Sequence, residues 1–159
     1  MFFNSVVILH FSKRYKRQGM NFIALVTITT LVIAGVFHFY WAFGGKLGLD
    51  RAIPTKDGKA LLNPGKLLTM LVGFIIIGFA WIAYILNFKD LSVISYSEQI
   101  VYSGWFLSGV FAIRSIGDFN MVGLFKKIKL TKFAEFDTKY FIPLTSFWAL
   151  TFALLTYQV

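Results

Sequence analysis

Apolar residues in this chain fall into four long runs, at about 21–44, 67–88, 99–119 and 140–157, separated by short polar stretches. None of the runs alternates polar and apolar residues with the period of two that marks a half-buried strand. Each approaches the roughly 20 residues that an α-helix needs to cross a bilayer. The pattern predicts an all-α fold: an integral membrane four-helix bundle whose spans run alternately up and down. Pro143 falls in the first turn of the fourth run, where a missing amide donor does little harm. Gly73, Gly78, Gly104 and Gly109 are small enough to let helices approach closely.

A fifth apolar stretch, residues 1–11, is too short to span. Lys13, Arg14, Lys16 and Arg17 follow it, the reverse of the order in a signal peptide. The chain therefore divides into an N-terminal interfacial or extra segment, 1–20, and a four-helix domain, 21–159, with Met20 as an alternative start. The loop at 45–66 is punctuated by Pro54, Gly58, Pro64 and Gly65. In the loop at 120–139, Phe125, Ile128, Phe133 and Phe136 alternate with lysines at near-helical spacing. That spacing predicts a short amphipathic helix lying in the headgroup region.

Composition agrees with a bilayer as solvent. Apolar residues make up 57% and charged residues 14% of the 159 positions, well below the roughly 25% charge of a soluble domain. The chain has no cysteine, which excludes disulfides and thiolate chemistry. The net charge of +9 is carried largely by Lys and Arg beside the apolar runs, where they face anionic lipid headgroups. No nucleic acid partner is expected, because no soluble recognition module is present. Ten Lys and Arg fall in the loops after the first and third runs, and five on the opposite side. The positive-inside rule then places loops 45–66 and 120–139 in the cytoplasm of a bacterial inner membrane.

The ionisable residues reaching into the runs carry the candidate chemistry. His38, Arg114 and Asp118 lie near the trailing ends of the first and third runs, which meet on one face if each run crosses once. A charge near the bilayer core is costly unless it is paired or wet, so it marks a functional site by default. The same face gathers Tyr40, Trp41, Asp50, Arg51, Glu135 and Asp137. Arg114 and Asp118 are four residues apart and share a helix face. They form either a neutralising pair or a pocket wall in which Arg114 grips an anion at two points. His38 is either an interfacial residue hydrogen-bonded to a neighbouring helix or a proton carrier, because imidazole titrates near neutrality. Two histidines without cysteine make no metal site, and no cofactor is expected.

Several stretches resemble a bacterial family of small four-span membrane proteins catalogued as a domain of unknown function. They are His38, Tyr40, Trp41, Ala42, Gly44 and Gly45; Gly48, Leu49, Asp50, Pro54 and Thr55; Arg114, Gly117, Asp118 and Phe119; and Phe133, Asp137 and Thr138. The resemblance extends from about residue 21 to the end. It implies four helices and no particular activity. The leading functional expectation is binding or transport of a small amphiphilic or anionic molecule at a one-sided polar site, with a homo-oligomer needed for transport. An accessory membrane subunit is the second expectation, and a small membrane enzyme using His38 as acid or base on a lipid-like substrate the third.

Overall fold

A computed structural model describes the backbone of residues 2–56, 59–61 and 64–159, and the side chains of 17–54, 61 and 64–159. Helix α1 runs Phe2–Ala42, α2 Leu49–Ala52, α3 Lys66–Phe88, α4 Ser97–Ile116, α5 Lys132–Phe136 and α6 Ile142–Tyr157. Strands β1 (Thr55–Lys56) and β2 (Lys59–Ala60) form a two-residue antiparallel ladder in the first loop. A 3-10 turn, Leu91–Val93, precedes α4, and a π turn, Asp137–Phe141, joins α5 to α6. The helix of α1 passes through residue 20 without a break. The side chains of the first sixteen residues, on which an interfacial role for 1–20 depends, lie outside the described residues.

Three helical stretches are long and apolar enough to cross a membrane: Arg17–Ala42, Lys66–Phe88 and Lys132–Tyr157. Helix α4, at 20 residues, carries Glu98, Gln99, four serines and Arg114 and is not among them. The helices associate as two antiparallel pairs, α1 with α3 and α4 with α6, which then pack together.

Small residues and hydroxyls set these contacts, as they do where lipid replaces water as the competing solvent. Gly35 of α1 and Gly73 of α3 face each other, so that a methyl on either would lie 3.2 Å from the other's carbonyl oxygen. Gly104 lets α4 approach Thr156 and Leu86. At Gly78 and Gly109, expected to act likewise, an added methyl would meet no other helix within 4 Å among the described residues. Across the helices, Ser108 Oγ donates to the Ala149 carbonyl at 2.9 Å, and the Trp148 indole donates to Thr30 Oγ1 at 2.9 Å. The centre is aromatic: Phe111 packs against Trp148 at 5.1 Å, Phe79 at 5.8 Å and Phe152 at 5.9 Å between ring centroids.

The third loop departs from expectation. No α-helix covers 117–131, and the helix at α5 has only five residues. Backbone donors at 120–122 are captured by the Asp118 carboxylate, while Gly117 and Gly123 adopt φ of 95° and 86°, outside the helical region. Of the residues whose spacing predicted a helix, Phe125 and Ile128 belong to a folded loop, while Phe133 and Phe136 lie on the short helix α5. The loops nonetheless meet as expected, since α2 packs on α5 at the face where α1 and α4 end.

Candidate functional site

At that face, the charges organise around Asp137. Helix α4 stops at Gly117, and Asp118 turns back on the chain. Its Oδ1 accepts the amides of Asn120 (2.9 Å), Met121 (2.7 Å) and Val122 (2.9 Å). The Val122 amide above all, with those of Asn120 and Met121, holds the Asp118 carboxyl below the usual carboxylate range. The loop so fixed points the Gly123 amide at Asp137 Oδ2, 2.9 Å away. Lys126 Nζ donates to the same oxygen at 3.0 Å and to the Gly123 carbonyl at 3.1 Å. Arg114 Nη2 reaches Asp137 Oδ1 at 2.9 Å. Asp137 is 0% exposed and Lys126 5%. This is a buried clasp of two cations, one anion and a peptide N–H.

Arg114 and Asp118 therefore do not pair. Spacing of four residues places two side chains together only within a continuous helix, and here the helix ends between them. Arg114 takes its partner from the π turn 23 residues later. Its second terminal nitrogen, Nη1, is buried without a hydrogen-bond partner among the described residues. The buried Lys126 was not foreseen; in a stretch reading Lys126, Lys127, Ile128, Lys129, nothing distinguishes the one lysine that turns inward.

The aromatic end of α1 does different work. His38 Nδ1 donates to the Ala34 carbonyl at 2.8 Å, which places the proton on that nitrogen, and the ring lies 5.2 Å from Trp41. Trp41 Nε1 donates to the Leu47 carbonyl at 2.8 Å, and Tyr40 Oη accepts the Leu47 amide at 3.5 Å. Gly45 lies against the Tyr40 ring with no room for a side chain. These residues turn the chain at the helix end. Asp50 meets Lys132 at 3.3 Å in an exposed ion pair, and the Arg51 guanidinium lies 4.6 Å above the Phe136 ring. Among the described residues no hydrogen bond or ion pair joins His38, Tyr40 or Trp41 to Arg114, Asp118 or Asp137. The predicted constellation shares a face without converging on one centre.

The opposite end of the helices holds a cavity. A space of about 850 Å³ opens between the first turns of the α1 span, the ends of α3 and α6, and the turn after α3. Its walls include Met20, Leu86, Leu91 and Leu154, and its mouth Arg17, Lys89 and Asp90. A chain of amides crosses it: Gln158 Nε2 donates to Asn87 Oδ1 at 3.4 Å, and Asn87 Nδ2 donates to Asn21 Oδ1 at 2.9 Å. Polar groups thus gather at this end of the helices as well as at the charged face. The signal was present in sequence: Asn21 opens the first run and Asn87 closes the second, and antiparallel neighbours bring those ends together.

No group of three His, Asp or Glu residues among the described ones is placed to hold a metal ion. No curated protein and no solved structure matches the chain. A family model described as a protein of unknown function (DUF3995) matches residues 31–152. The match takes in the turn at the end of α1, the whole clasp and the α3 wall of the cavity, but not residues 17–21 or 154–159. With well over half of its length matched, the chain belongs to the DUF3995 family.

Proposed function

We propose that this protein is a four-span membrane protein that binds a small amphiphilic molecule, and that the binding site is the cavity rather than the charged face. In this reading α4 crosses with the other three long helices. Its Arg114 is neutralised by Asp137. Ser103 and Ser115 donate to the Gln99 and Phe111 carbonyls of their own helix, Ser108 donates to the Ala149 carbonyl, and Ser115 also meets Thr145. The loops at 45–66 and 120–139 face the cytoplasm of a bacterial inner membrane, following the excess of Lys and Arg there.

The observation that carries the reading is the cavity itself. Its volume lies within the 300–1,000 Å³ common for small-molecule sites, and it combines apolar walls with a few converging amides and charges. The accessory-subunit reading draws on the clasp, which satisfies its charges internally as a structural element does. Enzyme chemistry on His38 has less support, because that ring is engaged with its own helix and with Trp41.

Native mass spectrometry of the detergent-purified protein tests the site. A co-purifying amphiphile is expected, lost in Leu154→Trp, which sets a bulky ring into the cavity from the α6 wall, and retained in His38→Ala. Loss in His38→Ala with retention in Leu154→Trp would move the site to the charged face.

A further inference from the structure

The mouth of the cavity is dipolar, and that restricts what fits it. Arg17 and Lys89 supply two cations. Asp90 supplies an anion: the Ser92 hydroxyl at 2.7 Å and the Ser92 amide at 3.0 Å both donate to its Oδ1. The hydroxyl first and the amide second hold its carboxyl below the usual range, so it stays ionised at neutral pH. Helices α3 and α6 both end here, and their last carbonyls add about half a negative charge each. The amide chain leaves Asn21 Nδ2 as a donor and Gln158 Oε1 as an acceptor at its two ends.

Neither a plain anion nor a plain cation satisfies this set. A lone phosphate or carboxylate would meet Arg17 and Lys89 but also Asp90 and two negative helix ends. A simple ammonium would meet the converse. A headgroup carrying both signs matches Arg17, Lys89 and Asp90, the charged side chains at the mouth among the described residues, at once. The apolar walls below, with Leu86, Leu91 and Leu154, suit hydrocarbon attached to that headgroup.

Building on the amphiphile reading, we infer that the cavity takes a zwitterionic phospholipid headgroup, its phosphate set against Arg17 and Lys89 and its ammonium against Asp90. The headgroup lies at the level of the α3 and α6 ends, and an acyl chain follows the Leu154 wall into the bilayer. The site discriminates by charge pattern, because like-charge contacts reject the wrong partner as effectively as good contacts hold the right one.

Delipidated full-length protein in detergent, titrated with dioleoyl phosphatidylethanolamine or dioleoyl phosphatidylglycerol and read by native mass spectrometry, tests the assignment. The ethanolamine lipid is expected to bind more tightly. Asp90→Asn should lower that preference about three- to fivefold, the size of one exposed ion pair, with little loss of phosphatidylglycerol binding. A joint Arg17→Gln and Lys89→Gln change should weaken both lipids. Equal binding of the two lipids, unaltered by Asp90→Asn while Leu154→Trp still ejects both, overturns the headgroup assignment and leaves the amphiphile site standing. Binding of either lipid untouched by Leu154→Trp overturns both. Displacement of lipid by inorganic phosphate alone at low millimolar concentration also overturns the assignment, because it makes the occupant a free anion.

Discussion

Asp137 and Asp118 illustrate how differently two carboxylates in neighbouring segments can be employed. Asp137 is fully buried and is the common acceptor for Arg114, Lys126 and the Gly123 amide. Removing one member of a buried ion cluster strands the others, so Asp137→Ala should lower unfolding stability by about 3–5 kcal/mol. Thermal unfolding in detergent, followed by tryptophan fluorescence, measures this. Asp118 is near the surface and serves the backbone. Because its carboxyl titrates below the ordinary value of 3.8, its contribution is complete above that pH and disappears as pH falls through the lower, folded value. Wild-type stability should therefore fall in that acid window, and Asp118→Asn should show a smaller fall between pH 5 and pH 2 in the same unfolding measurement. The sequence made both residues visible as charges beside a membrane span. It could not assign Arg114 to one of them, because local spacing favours Asp118 while the true partner arrives only after the chain has turned through Gly117 and Gly123.

At the scale of elements, the apolar runs located α3, α4, α6 and the end of α1 to within a few residues, since continuous hydrophobicity is a property of each segment alone. The start of α1 at Phe2 was missed, because the basic residues at 13–17 break the run without breaking the helix. The first half of the third loop was misread for the complementary reason, and only its second half, at α5, is helical. Its aromatic spacing suits a helix, but three amides that a helix would use are bound to Asp118. Glycines separate into those that form contacts and those that merely sit in helices, a distinction that depends on which face meets a neighbour. Gly35→Leu or Gly73→Leu should force α1 and α3 apart and destabilise the protein by about 1–3 kcal/mol, the usual range for overpacking. Gly78→Leu, which meets open space, should leave the melting temperature unchanged or slightly raised by better helix propensity. Equal damage from all three would show that the α1–α3 seam is not where the two glycines place it.

For the whole molecule, what matters is which features belong to one helical pair and which need both. Arg114, Lys126 and Asp137 all lie in the second pair with its connecting loop, so the clasp joins residues separated by at most 23 positions. The cavity draws on Arg17 and Asn21 from α1, Asn87 from α3, and Leu154 and Gln158 from α6. Its amide chain closes over a sequence distance of 71 residues at Gln158 and 66 at Asn21. Composition and hydropathy could reveal the first kind of feature in outline; of the second they held only Asn21 and Asn87 at the ends of two apolar runs, ordinary polar residues until the pairs meet. Contacts close in sequence form at less entropic cost than distant ones. The second helical pair can thus neutralise its own charges before it docks on the first. The cavity comes into being only at the docking step, because its walls come from α1 and α3 of one pair and α6 of the other, so the space itself reports that the two pairs have met.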